Sequence, residues 1–171
     1  MTPTPSPFSY LIAVSGGSGS GKSTLAAALV ASLTPARAVI FKEDAYYWPL
    51  SYYGDPVDAA ARAELTAKID YDHPASKDTE LIADHLGALK RGQAIDQPIY
   101  DYETHDRLPG QTYRIEPRKI IILEGIHALS ASAILPLIDL SVYVDTPDDL
   151  RLARRIQRDV IERERNVTRS L

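Results

Sequence analysis

Cysteine is absent from the 171-residue chain. That alone excludes disulfide scaffolds, zinc ribbons and thiol catalysis. Long apolar runs are lacking too: the longest fall far short of the roughly 20 residues a helix needs to cross a bilayer, so no membrane partner is expected. Positive charge is not in excess, with 19 Lys and Arg against 23 Asp and Glu and a net charge of −4. This speaks against a broad nucleic-acid-binding surface. Residues 1–7, Met1-Thr2-Pro3-Thr4-Pro5-Ser6-Pro7, have neither the basic nor the apolar stretch of a signal peptide. Their three prolines read as a flexible, extended lead-in, and a cytoplasmic protein is expected. What remains is an ordinary globular balance, 44% apolar and 25% charged, with a length suited to one domain over residues 8–171.

Short β-branched apolar runs recur. Tyr10–Val14, Ala38–Phe41, Lys119–Leu123 and Leu140–Val144 each suit a strand buried on both faces. Between them lie helical stretches: Lys22–Leu33, Asp55–Ile69 with Pro56 in its first turn, Ser76–Leu89 with an apolar face of Leu81, Ile82, His85, Leu86 and Leu89, and Asp148 to about Arg165, capped by Thr146 or Asp148. Strands alternating with helices predict an α/β fold with a parallel sheet. Ile99–Ile115 differs. Two aromatic-rich extended runs flank Arg107-Leu108-Pro109-Gly110-Gln111, which predicts a hairpin over about 98–116 with its loop at those five residues.

Gly16-Gly17-Ser18-Gly19-Ser20-Gly21-Lys22-Ser23 fits the pattern G-x-x-x-x-G-K-[ST] at every position, with Thr24 following. Glycines let backbone N–H groups turn inward around phosphate oxygens, and a helix beginning at Lys22 adds its N-terminal partial charge. Lys22 is suited to the β- and γ-phosphates and the Ser23 hydroxyl to Mg²⁺. A flexible Gly/Ser loop would share the composition, but the strand before and the helix after supply the context a phosphate loop requires. Glu124 closes the strand Lys119–Leu123. It is either the second group of a magnesium site or a cap on the turn at Gly125.

A phosphate loop serves switches, motors and small-molecule kinases. The base-reading N-K-x-D of a GTPase switch is excluded, because the single asparagine, Asn166, precedes Val167. A kinase needs a carboxylate at the attacking hydroxyl, groups that hold the acceptor, and arginines over the phosphates. Asp44 follows the second strand, at the sheet end where ligands bind in α/β folds; a turn or capping residue would look the same. Asp72, in Tyr71-Asp72-His73-Pro74, suits either an acceptor contact or an Asx-turn. Arg151, Arg154, Arg155 and Arg158 fall on one helix face. They are either a solvated stripe paired with Asp148, Asp159 and Glu162 or part of a phosphate-covering lid over about 151–165.

Taken together these residues resemble the uridine–cytidine kinase family, within the wider group that includes phosphoribulokinase. The resemblance is carried by Gly16–Thr24, Glu43-Asp44-Ala45-Tyr46-Tyr47, Tyr71-Asp72-His73-Pro74, Leu89-Lys90-Arg91-Gly92, Ile99–His105, Ile121–Gly125, and Asp145-Thr146-Pro147 with Arg154–Asp159. It implies a three-layer P-loop fold whose four parallel strands lie in the order second, third, first, fourth. The family's final edge strand and a further helix would come after Leu171. It also implies transfer of the γ-phosphoryl group of ATP or GTP, with Mg²⁺, to the 5′-hydroxyl of uridine or cytidine. By resemblance Asp44 is the catalytic base and Lys22, Arg163 and Arg165 attend the transferred phosphate. Asp72 holds the ribose, Tyr47 lines the acceptor site, Tyr100, Tyr102 and His105 face the pyrimidine, and Arg155 and Arg158 face sugar or phosphate. Ser23 and Glu124 match the magnesium-site residues, and homotetramers are implied. The competing readings are a sister kinase for another hydroxyl acceptor (ribulose 5-phosphate, pantothenate or nicotinamide riboside) and a non-catalytic nucleotide-binding module.

Overall fold

The computed structural model describes residues 9–34 and 36–162. Its elements are β1 (Tyr10–Ser15), α1 (Lys22–Leu33), β2 (Ala38–Lys42), α2 (Ala59–Lys68), α3 (Thr79–Lys90), β3 (Ile95–Asp101), β4 (Asp106–Ile115), β5 (Ile120–Glu124), β6 (Leu140–Tyr143) and α4 (Asp148–Glu162). β2, β5, β1 and β6 form one parallel sheet in that order, the order expected from the sequence. The expected lead-in at 1–7 and the lid beyond Glu162 lie outside the described residues.

Alternation along the strands builds two cores. Leu11 and Ala13 of β1, Phe41 of β2, and Ile121 and Leu123 of β5 face one side, where they pack with Ile82, Leu86 and Leu89 of α3. Val14 and Ile122 face the other side and pack with Ala26, Leu25 and Leu29 of α1. Strands covered on both faces carry apolar residues at every position, which is why these runs read as continuous rather than alternating. Among the described residues no strand lies outside β6, and Leu140 and Tyr143 are exposed on that edge. No described helix is long and apolar enough to cross a membrane.

Three local expectations are corrected. The helix expected from Asp55 starts at Ala59, because the Asp58 side chain accepts from the Ala61 N–H and caps it there. Pro56 therefore precedes the helix instead of occupying its first turn. The helix expected from Ser76 starts at Thr79, capped by Asp78 on Leu81 N–H. Residues 76–78 are instead drawn alongside 46–48: Trp48 N–H donates to Ser76 O and Asp78 N–H to Tyr46 O.

The third correction concerns the hairpin, which forms over β3 and β4 but turns at 102–105 and not at Arg107–Gln111. Asp101 pairs with Asp106 and Tyr100 with Arg107. The Asp101 carboxylate accepts from Glu103 N–H and Thr104 Oγ1, and His105 adopts φ 54°, so the chain reverses there. Between the pairs Tyr100–Arg107 and Pro98–Thr112 the register shifts. The turn-prone residues Leu108–Gln111 form a bulge within β4, where Pro109 costs no ladder bond and Gly110 takes φ 69°.

Candidate active site

The loop between β1 and α1 wraps the start of the helix. Gly21, at φ 97°, is the residue before α1, and Lys22 is buried. A Cβ on Gly19 would collide with the Arg151 carbonyl, and one on Gly17 with the Arg151 guanidinium. The loop and the first turn of α4 thus pack closely, and at Gly19, where the clash is with backbone and φ is 78°, only glycine fits. Thr146 adds to this contact by donating to Ser20 O at 3.0 Å.

Parallel pairing of β1 with β5 sets Val14 opposite Glu124, so Glu124 is the last strand residue and faces the loop. Ser23 Oγ donates to its Oε1 at 2.9 Å, and Lys22 Nζ is 3.8 Å away. Glu124 therefore reaches across from the end of β5 to the first turn of α1. A hydroxyl and a carboxylate side by side are groups that could hold Mg²⁺. That ion keeps waters and takes phosphate oxygens as its remaining ligands.

Two clefts meet beside this corner. Gly19, Gly21, Lys22, Ser23, Thr24, Glu124, Arg154 and Arg158 line one. Ser18, Tyr47, Tyr71, Asp72, Tyr100, His105 and Arg155 line the other. Lys22, Asp44, Tyr102 and Arg158 line both. Asp44 stands at this junction because the chain leaves β2 in a single 3-10 turn, Glu43–Tyr46. Its Oδ1 accepts from Lys77 Nζ at 2.6 Å.

Asp72 is reached from two sides. Arg155 Nη1 donates to its Oδ2 at 2.7 Å, and its carbonyl is 2.7 Å from His127 Nε2. The local Asx contact is made by Asp70, which accepts from Asp72 N–H, so the Asp72 carboxylate is left for Arg155. Arg158 donates to Ser18 Oγ at 3.2 Å, and Arg151 pairs with Asp148. The arginine stripe therefore faces the site: Arg151 and Arg158 lie against the phosphate loop, Arg154 lines its cleft, and Arg155 holds Asp72.

The aromatic wall is continuous. Tyr47 packs on Tyr100 and Tyr71, Tyr71 stacks on His105, and Tyr100 meets Tyr102 edge-on. Tyr102 sits in the turn, one residue beyond the end of β3. Burial pushes the Tyr47 and Tyr100 phenols far above their ordinary value, so both stay neutral. Gly16, Gly17 and Ser20 support the loop from behind and line neither cleft. Arg163 and Arg165 lie outside the described residues.

Sequence reasoning missed Tyr71, Ile126 and Lys77. Tyr71 was within reach, since it adjoins Asp72 in a motif already singled out. Lys77 carries no signal, because the sequence pattern places it within a helix that in the structure starts only at Thr79.

The Phosphoribulokinase / Uridine kinase family matches residues 11–169. The chain belongs to this family. A uridine kinase of Ligilactobacillus salivarius is 41% identical over 157 residues, which cover 92% of this chain and 70% of that protein. One of Chloroflexus aurantiacus is 41% identical over 162 residues, 95% of this chain and 73% of that protein. The fold recurs in D-glycerate 3-kinase from Cryptococcus neoformans, with a TM-score of 0.65 and 15% identity over 99% of this chain and 76% of that one. It recurs again in phosphoribulokinase from Rhodobacter spheroides, with a TM-score of 0.62 and 14% identity over 94% of this chain and 61% of that one. As a member of the phosphoribulokinase/uridine kinase family the chain is a P-loop kinase, a phosphotransferase that takes its phosphoryl group from a nucleotide.

Proposed function

We propose that this kinase transfers the γ-phosphoryl group of ATP or GTP to the 5′-hydroxyl of uridine or cytidine. The observation that carries the reading is the shared boundary of the two clefts. Lys22 and Asp44 line both the phosphate-loop side and the aromatic side, so a phosphoryl group and a hydroxyl brought from opposite sides would meet between them. An aromatic wall with polar edges suits a flat, hydrogen-bonding base. The two uridine kinases named above, each 41% identical, support the same acceptor class.

In this reading Asp44 accepts the 5′-hydroxyl proton as the new O–P bond forms. The bond from the γ-phosphorus to the bridging oxygen breaks, and the nucleoside diphosphate leaves. An alcohol does not ionise unaided at neutral pH, and a placed base contributes about 10²–10⁴ in rate. Lys22 and Arg158 hold phosphate charge, and Arg163 and Arg165 are assigned to cover the transferred group. Asp72, held by Arg155, grips the ribose hydroxyls. Tyr47, Tyr100, Tyr102 and His105 receive the base. Ser23 and Glu124 would hold Mg²⁺, which supplies charge neutralisation at the phosphates. A cytoplasmic setting, where nucleoside triphosphates and Mg²⁺ are at hand, accords with this reading.

A coupled phosphotransfer assay with ATP and Mg²⁺ tests it against uridine, cytidine, adenosine, thymidine, nicotinamide riboside, pantothenate and ribulose 5-phosphate. Turnover confined to uridine and cytidine is expected. Turnover of another acceptor would move the assignment to a sister kinase. ATP binding without transfer to any of them would make the chain a binding module.

A further inference from the structure

Lys77 is an unusual lysine. Its side chain has 0% exposure, yet it ends 2.6 Å from Asp44 Oδ1 and 3.3 Å from Glu43 Oε2. On the way its ammonium passes 4.6 Å from the centre of the Tyr47 ring. The backbone dictates this path. Lys77 bridges Tyr47 in an antiparallel pair, with Trp48 N–H on Ser76 O and Asp78 N–H on Tyr46 O locking the flanks. The lysine thus lies behind two residues that line the acceptor cleft and never enters the cleft itself.

A buried ammonium is tolerated only when paired and hydrogen-bonded, and here the two consecutive carboxylates are unequal partners. Glu43 is 1% exposed, against 35% for Asp44. Glu43 is anchored on the loop after β5: its Oε2 accepts from His127 N–H at 3.0 Å and lies against Gly125. It is the inner counter-charge. The shorter of the two contacts goes outward, to Asp44. Short charge-assisted contacts define direction more tightly than long ones. The arrangement links Asp44 through Lys77 and Glu43 to the loop that begins next to Glu124.

We propose that Lys77 is a positioning residue for phosphoryl transfer: it fixes the Asp44 carboxylate at the junction of the two clefts, with buried Glu43 as the counter-charge that lets a lysine stand there. The proposal rests on the base role assigned to Asp44 above. Lys77 orients the base and touches neither substrate.

The test compares the wild type, Lys77→Met, and the double variant Glu43→Gln/Lys77→Met. The single variant strands Glu43 without its partner and is expected to melt lower. The double variant removes both buried charges and is expected to recover most of that loss. Its kcat on the acceptor that the wild type uses should stay at least about tenfold low, with KM for the nucleotide within about twofold, since a misplaced group costs turnover more than binding. A double variant with wild-type kcat would make Lys77 only a partner for Glu43 and overturn the proposal. A wild type that phosphorylates neither uridine nor cytidine would overturn the acceptor assignment instead. The positioning claim would then be decided by crystal structures of the wild type and the double variant. A displaced Asp44 carboxylate in the double variant supports it, and an unmoved one overturns it.

Discussion

Arg155 Nη1 and Asp72 Oδ2 lie 2.7 Å apart although 83 residues separate them in the chain. The pair ties the α4 helix to the segment that carries the acceptor-side carboxylate. Both side chains are partly solvated, and pairs of this kind contribute at most about 1 kcal/mol to stability. Arg155→Met is therefore expected to leave the melting temperature nearly unchanged while raising KM for the nucleoside more than KM for ATP. A large loss of melting temperature with unchanged KM would mean that the pair serves the fold.

Asp44→Asn keeps the shape of the side chain and removes its basicity. Nucleoside binding, measured by calorimetry, should persist while turnover falls at least about a hundredfold. Near-wild-type turnover would remove Asp44 as the base.

His105 stands at a positive φ in the hairpin turn and stacks on Tyr71. His105→Ala should raise KM for uridine far more than KM for ATP. Equal effects on both would show that the turn does not contact the base.

Gly125 follows Glu124 directly, and a Cβ there would overlap Glu43 Oε2. Neither neighbour yields easily, because Glu43 is held by Lys77 and His127. Gly125→Ala should cost about 1–3 kcal/mol, the range for overpacking a filled interior, read as a lower denaturant midpoint.

His85 lies in the apolar face of α3, and its Nδ1 is 2.8 Å from the Tyr46 hydroxyl. Burial lowers its pKa below the ordinary 6.5. The unfolded chain therefore binds a proton more readily than the folded one. The stability held by neutral His85 is complete above about pH 6.5 and declines as pH falls from there towards the lower folded value. His85→Gln should flatten that part of the stability profile, measured by denaturant unfolding at several pH values. An unchanged slope would place the pH sensitivity elsewhere.

Local chemistry written into the sequence was enough for much of this molecule. The bounds of α1 follow from the phosphate-loop pattern and an Ala/Leu-rich run. The first three strand runs announce themselves because residues covered on both faces must be apolar, whereas β6, expected to be buried, lies exposed on the edge; the strand order followed from the resemblance those motifs carry. Asp44, Asp72, Glu124 and the hairpin aromatics are legible in the sequence as candidates, and the fold sets them along two clefts that meet at Asp44 and Tyr102. Tertiary pairing decided the rest. Pro109 and Gly110 signal a turn locally, yet the chain reverses at 102–105, because the register of β3 with β4 and the Asp101 contacts outweigh that signal and leave the turn-prone residues as a bulge. Ser76–Asp78 continue a helical pattern on paper, but a 3-10 turn ends at Ser76, and hydrogen bonds to 46–48 hold Lys77 extended. That single departure turns Lys77 inward. Periodicity within a segment cannot register which distant backbone will claim its N–H and C=O groups, so a lysine in the core behind Asp44 became visible only once the chain had folded.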